Sequence, residues 1–325
     1  STLVVNLQNS LSEPTSIHWH GLRIKNAMDG VPGVTQDPVQ PGEIFSYHLD
    51  LEEAGTFWYH PHFNSGEQLE RGLKGPLIVE ESQPQAWSQD IIWFLDDWRM
   101  QRDGTIYPHF NIHPDLMHDG RWGNLITVNG QVEPEISVNP GERIRLRLIN
   151  GANARIFAGE LQVLKARVIA VDGRPVTSFF SYQNFPLSPG NRVDLDITIP
   201  ADATGKTFEL KDHFTRNKIL LGKIVVSEND PVATPEFTPP TAENFIPAEL
   251  FAGLEISKNW HLDLVRGGRF GIGWAMNQKL WPDADTVSHN LGKPMKIRFT
   301  NRTNRLHPMH IHGVFFRVLS VNSKE

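Results

Sequence analysis

Seven of the chain's 14 histidines fall into three short motifs: His18-Trp19-His20-Gly21, His60-Pro61-His62 and His307-Pro308-Met309-His310-Ile311-His312-Gly313. Each motif contains an H-x-H pair. Residues i and i+2 of a strand point the same way, roughly 6.6 Å apart, so each pair aims two imidazoles at one side. That spacing suits two neighbouring metal ions better than chelation of one. Neutral imidazole is a good donor to copper, zinc, iron and nickel. A lone histidine on a strand is most often a half-buried packing residue, but three pairs in short windows make a metal-binding pattern. The other seven, His48, His109, His113, His118, His213, His261 and His289, lack that spacing and read as surface or packing residues. His109, His113 and His118 lie close enough to form a loose loop cluster. The chain has no cysteine, which excludes disulfides, thiolate zinc sites, iron–sulfur clusters and thiol nucleophiles within it.

Such pairs need strands to hold them. Short apolar-rich stretches ending at Gly, Pro or Asn occur at 2–7, 44–49, 76–80, 142–149, 192–199, 219–226, 295–300 and 314–321. No long helical period stands out; a short helix is expected near 65–73, with Ser65 as its cap. The 26 glycines and 23 prolines fit a turn-rich all-β chain. The phrase Gln40-Pro41-Gly42-Glu43 recurs as Asn139-Pro140-Gly141-Glu142 and as Ser188-Pro189-Gly190-Asn191. A longer phrase, an alternating strand ending in Asn followed by a polar loop and a second strand, also occurs three times. Repeats of this kind predict three related β modules. Their boundaries are expected near residues 85 and 232, giving 1–85, 86–232 and 233–325, with the second boundary in a Pro/Thr-rich linker. The outer two modules carry the histidine motifs and the middle one reads as structural or as a spacer. The chain has 325 residues, 39% hydrophobic and 21% charged, with net charge -6. These values allow two or three globular domains and exclude disorder and a broadly basic nucleic-acid face. No nucleic acid is therefore expected as a partner, and because no run approaches 18 apolar residues no membrane is expected either.

The segments SIHWHGL, GTFWYHPHF and RLHPMHIHG resemble three of the four copper-ligand motifs of the multicopper oxidases, a family that includes laccases, ascorbate oxidases and bacterial copper-efflux oxidases. MDGVPGVTQDPVQPGE and RLINGANARIF extend the resemblance over essentially the whole chain. The resemblance implies three tandem cupredoxin-like Greek-key β-sandwich or barrel domains, the third incomplete. It implies copper of type 1, type 2 and binuclear type 3, four ions per complete chain. His18 and His310 would be type 2 ligands. His20, His60, His62 and His312 would be four of the six type 3 ligands, and His307 a type 1 ligand. Asp29 matches an acidic residue that helps deliver protons during dioxygen reduction in family members; read without the resemblance, it is a turn residue in Met28-Asp29-Gly30. Trp19, Trp58 and Tyr59 flank the ligands and are expected to wall the cluster in apolar surroundings.

The implied reaction is one-electron oxidation of a small reducing substrate, coupled to four-electron reduction of dioxygen to water. Six scattered methionines favour laccase-like oxidation of phenols or aromatic amines, with Cu(I) the other candidate donor. A periplasmic or secreted location is expected. The sequence departs from the family in one respect: the His-Cys-His motif that supplies the type 1 thiolate is absent. His60 follows His18 by 42 residues, and the same spacing from His310 falls near position 352, past Glu325. The missing motif is therefore expected on a further C-terminal segment or a second chain, which would complete the copper sites. An opening hairpin is likewise expected ahead of Ser1. A different reading is a non-catalytic cupredoxin-fold scaffold or cell-division relative that has lost its type 1 copper. A copper nitrite reductase is disfavoured, because its single type 2 copper would leave the paired H-x-H elements surplus.

Overall fold

The computed structural model describes residues 1–83, 87–117, 119–161, 164–237 and 248–322. Nearly all regular structure is β, as the sequence predicted. The chain divides into two compact units, one of Ser1–Asn111, Arg121–Glu243 and His312–Val314, the other of Ile112–Gly120, Asn244–Ile311 and Phe315–Glu325.

In the first unit, strands Thr2–Gln8 and Ile44–Asp50 pair antiparallel. Leu3, Val5 and Leu7 alternate with Thr2, Val4 and Asn6, so one face is apolar and the other meets water. The apolar face packs Tyr47 and Leu49 against Trp19 of a three-stranded sheet, Ile17–His20, Gly55–Pro61 and Gly75–Val79. A larger six-stranded sheet and a five-stranded sheet share a second core that includes Trp93, Leu146, Leu148, Leu195, Phe208 and Leu210. Strand Arg143–Asn150 runs parallel to Gln89–Trp98, and Ile219–Val226 runs parallel to Glu135–Val138. Neighbouring parallel strands need crossover connections, in keeping with the expected sandwich topology.

The alternation Arg143-Ile144-Arg145-Leu146-Arg147-Leu148 lies in the strand expected over 142–149. In the structure both faces are buried. The aliphatic side chains enter the core, and the arginines meet acids on the opposite side. Arg143 grips both carboxylate oxygens of Asp196 at 2.7 and 2.8 Å. Arg145 donates to Asp194 at 2.6 Å, and Arg147 donates twice to Asp90 at 2.6 Å. Arg147 also donates to the Thr56 hydroxyl at 2.7 Å, and that hydroxyl donates to Asp194 at 2.7 Å. Thr56 lies on the strand Gly55–Pro61, so this charged seam ties the histidine-bearing sheet to the larger sandwich. Buried pairs of this kind depend on good geometry and on further hydrogen bonds to the remaining donors; among those of the seam, Arg145 Nε has none.

The second unit has one four-stranded sheet, built from Ile256–Arg266, Ile272–Met276, Lys279–Leu280 and Lys296–Asn301. Its first and last strands pair in parallel. The stretch 314–321, expected as a strand, forms no ladder among the described residues, and Val314, Phe316 and Val318 are exposed. Alternating sequence makes a strand only with a neighbour to pair it, and among the described residues of this stretch only Val321 is bridged. The expected helix is shorter than 65–73 and spans Ser65–Gln68. Asn64, at φ 43°, takes the cap position, and Ser65 Oγ instead donates to the Pro61 carbonyl at 3.3 Å. Among the described residues, no helix is long and apolar enough to cross a membrane.

Candidate metal centre

Two strands of the first unit define the site through their register. Ile17–His20 and Gly55–Pro61 pair with His18 opposite His60, Trp19 opposite Tyr59 and His20 opposite Trp58. Residues directly opposite share a face, and successive residues alternate faces. His18, His20, Trp58 and His60 therefore point one way, while Trp19 and Tyr59 point into the module core, their rings 5.9 Å apart. This corrects the expected wall of three aromatics. Trp58 lines the histidines, its ring 4.4 Å from His60 and 5.2 Å from His20. Trp19 and Tyr59 support them from behind.

His62 follows the strand end, where its backbone N–H donates to the Ser16 carbonyl at 3.4 Å. His312 belongs to the same compact unit despite its place late in the chain. Its ring centroid lies 4.1 Å from that of His18 and 5.0 Å from that of His62. His18 is also 5.5 Å from His20, 5.2 Å from His60 and 5.8 Å from His62. Five imidazoles thus converge on one region.

Asp29 stands behind two of them. Its carboxylate lies 2.9 Å from Nδ1 of His312 and 3.3 Å from Nδ1 of His18, and its backbone carbonyl is 2.9 Å from the same His18 nitrogen. The turn bringing Asp29 there requires Gly30, at φ 78°, because a Cβ would fall on the Ile17 carbonyl. Burial would raise the Asp29 pKa, but hydrogen bonds from His18 and His312 outweigh it and hold the carboxyl well below the usual range. An ionised carboxylate and a carbonyl only accept, so Nδ1 of both rings carries the proton. Nδ1 of His60 faces the Pro61 carbonyl at 3.0 Å and is protonated for the same reason. In each neutral ring the lone pair then sits on Nε2, as a metal ligand oriented from behind requires.

His20 presents Nδ1 to His60 Nε2 at 3.4 Å. Two nitrogens each about 2 Å from a shared ion, at a near-tetrahedral angle, stand about 3.3 Å apart. Burial, together with the neighbouring His18 and His312, lowers the His62 pKa to about 4, so this ring is neutral over most of the working pH range. Imidazole nitrogens converging on one region fit copper in their chemistry.

His307 and His310 lie in the second unit, where the His307 ring sits 5.4 Å from Trp274 and His310 is exposed. Four of the unpatterned histidines have local partners away from the cluster. His109 packs on Tyr107, His113 on Phe270, His213 faces Glu160 at 3.2 Å and His289 faces the Lys293 carbonyl. His118 lies outside the described residues. The hold of Asp29 on two separate histidine motifs was not read from the sequence; the Asp-Gly turn was its one local signal.

Multicopper oxidase family models match residues 1–84, 90–220 and 256–325. A solved multicopper oxidase from Pseudomonas parafulva superposes with a TM-score of 0.80 at 34% identity, over 96% of this chain and 75% of its own. The chain belongs to the multicopper oxidase family. A multicopper oxidase from Pseudomonas thermotolerans aligns with a TM-score of 0.71 at 34% identity, covering 81% of this chain and 62% of its own. The multicopper oxidase MmcO of Mycobacterium tuberculosis is 26% identical over 98% of this chain and 69% of its own length. This chain thus spans about two thirds of the length of such relatives. Multicopper oxidases are copper-dependent oxidoreductases, so copper is the cofactor against which the imidazole set is to be read.

Proposed function

We propose that the protein oxidises a small reducing substrate by single electrons and reduces dioxygen to water at a copper cluster. The donor is a phenol or aromatic amine, as in laccases, or Cu(I). The observation that carries this reading is the convergence of His18, His20, His60, His62 and His312, with Asp29 fixing two of the rings. These five histidines are the proposed cluster ligands. For His307 and His310, assignment as copper ligands rests on their motif. Modules of 1–85, 86–232 and 233–325 and a periplasmic or secreted location belong to the same proposal.

Bound copper supplies the one-electron redox steps and the site of dioxygen reduction. The chain's own residues set the conditions for it. Asp29 keeps the protons of His18 and His312 on Nδ1, which puts their lone pairs on Nε2. Asp29, beside these two rings, is also the residue proposed to deliver protons to the cluster in catalysis, by a route that does not pass through the rings, whose Nε2 atoms hold metal. Trp58 covers the His20 and His60 rings and keeps water from that side. His62, neutral above about pH 4, needs no proton removed before it binds a cation.

The test is copper content together with oxygen uptake, with a phenolic donor and with Cu(I), in the wild-type protein and in His60→Ala. Copper-dependent oxygen uptake that His60→Ala abolishes supports the proposal. Full copper loading with no uptake from either donor overturns it and favours the non-catalytic scaffold.

A further inference from the structure

The Pro-Gly turn repeated through the sequence has the same backbone twist in all three copies. Gly42, Gly141 and Gly190 have φ values of 84°, 82° and 85°. Their surroundings differ. A Cβ on Gly42 would meet nothing within 4 Å, and one on Gly141 would strike the Val232 carbonyl. A Cβ on Gly190 would lie 2.9 Å from Cε1 of His20, 3.4 Å from its Nε2 and 3.7 Å from the Trp58 ring. The third turn thus presses its backbone on the Cε1–Nε2 edge of His20, beside the Nδ1 that faces His60 at 3.4 Å. This turn belongs to the middle module, which carries none of the histidine motifs.

Arg192, two residues further on, is buried and joins the turn to the strand bearing His60. Its Nη1 donates to the Gly190 carbonyl at 2.8 Å, its Nε to the Thr56 carbonyl at 3.1 Å and its Nη2 to the Asp172 carbonyl at 2.9 Å. On the other strand, a Cβ on Gly21, the residue after His20, would fall on this guanidinium. One rigid, planar fork therefore touches the turn and the backbone of both histidine strands.

We propose that Gly190 and Arg192 are positioning residues through which the ligand-free middle module sets the separation of the His20 and His60 donor nitrogens. Absence of a side chain at Gly190 lets the turn seat the His20 ring, and Arg192 fixes where the turn sits. The inference rests on the reading of His20 and His60 as copper ligands.

The experiment measures Cu(II) affinity by competition with a chelator in wild type, Gly190→Ala, Gly42→Ala, His20→Ala and the Gly190→Ala/His20→Ala double variant. Gly42→Ala carries the same penalty for a left-handed backbone but faces open space, so it controls for strain. Gly190→Ala is expected to weaken copper binding by about tenfold or more, the usual scale for residues that orient ligands. Gly42→Ala is expected to bind as wild type does. In the His20→Ala background, Gly190→Ala should cost nothing further, because contacting residues that act through one another are not additive. Arg192→Lys, which keeps the charge and loses the fork, tests the same contact if Gly190→Ala does not fold, and should weaken binding in the same direction. Wild-type affinity in Gly190→Ala, an equal loss in Gly42→Ala, or additive losses in the double variant would overturn the inference. Wild-type affinity in His20→Ala would instead overturn the reading of the site on which it rests.

Discussion

Asp29 and His312 are 283 positions apart in the chain, yet the Asp29 carboxylate lies 2.9 Å from Nδ1 of His312. The other carboxylate oxygen faces Nδ1 of His18 at 3.3 Å. One small acid thus orients rings from the first and last histidine motifs, and neither ring can turn without disturbing the other.

Replacing Asp29 by Asn keeps the shape but swaps one acceptor for a donor. With the amide oxygen on His312, the amide N–H group faces Nδ1 of His18, which then keeps only the residue 29 carbonyl as acceptor. Copper affinity is expected to fall by about ten- to a hundredfold, the range seen when the partner behind a ligand is lost. Chelator competition on Asp29→Asn and Asp29→Ala measures this, and unchanged affinity in both would show that the carboxylate is dispensable for metal binding.

The lowered pKa of His62 gives the metal-free protein a pH dependence of definite sign. The unfolded chain takes up this proton near the ordinary value of 6.5, and the folded chain only near 4. Between those values the unfolded state binds more protons, so stability rises with pH. Going from pH 7 to pH 5 should cost about 1–2 kcal/mol through this group. Urea unfolding of chelator-treated protein at the two pH values, in wild type and His62→Gln, isolates the contribution. The variant should show the shallower dependence, and identical slopes would refute the assignment.

The seam of arginines predicts a large stability effect far from any histidine motif. Asp194 accepts from Arg145 and from Thr56, so Asp194→Ala takes one of two acids from the buried Arg145, which keeps Glu81 at 2.5 Å. Breaking a buried pair from one side costs about 3–5 kcal/mol. Thr56→Val, which removes a neutral hydroxyl, should cost about 1–3 kcal/mol. Denaturant midpoints order the two variants, and a milder effect for Asp194→Ala than for Thr56→Val would contradict the network.

The histidines should separate into two groups on substitution. His60→Ala is expected to remove copper with little change in secondary structure. His213→Ala, whose ring faces Glu160 instead of the cluster, should bind copper as wild type does. Metal analysis after dialysis decides between these outcomes, and equal losses would mean that the cluster has no special claim on copper.

The centre was legible in the sequence to the extent that its geometry is local. A period of two along a strand is enough to place His18 with His20, and the same rule sends Trp19 to the other face. The same rule puts Trp58 with His60 and Tyr59 on the other face; the pairing of Ile17–His20 with Gly55–Pro61 is not local, and only it brings His18 opposite His60. Alternation marked Arg143–Asn150 as a strand with two unlike faces without saying what covers the polar one. The stretch 314–321 has a strand's pattern, but pattern cannot supply a neighbour. Gly190 was visible as one of three equal turns; which of them meets a histidine depends on a contact across 170 residues.

The seam between Thr56, Arg147 and Asp194 bears on how this protein can be cut and recombined. Internal repetition suggests parts that could be lifted out and exchanged. Here an excised first module would expose the Thr56 strand, and the sandwich left behind would keep arginines with their countercharges but without their cover. Chimeras should therefore be joined so that 1–83 travels with the sandwich it is salted to, whatever the repeats say about separate origins.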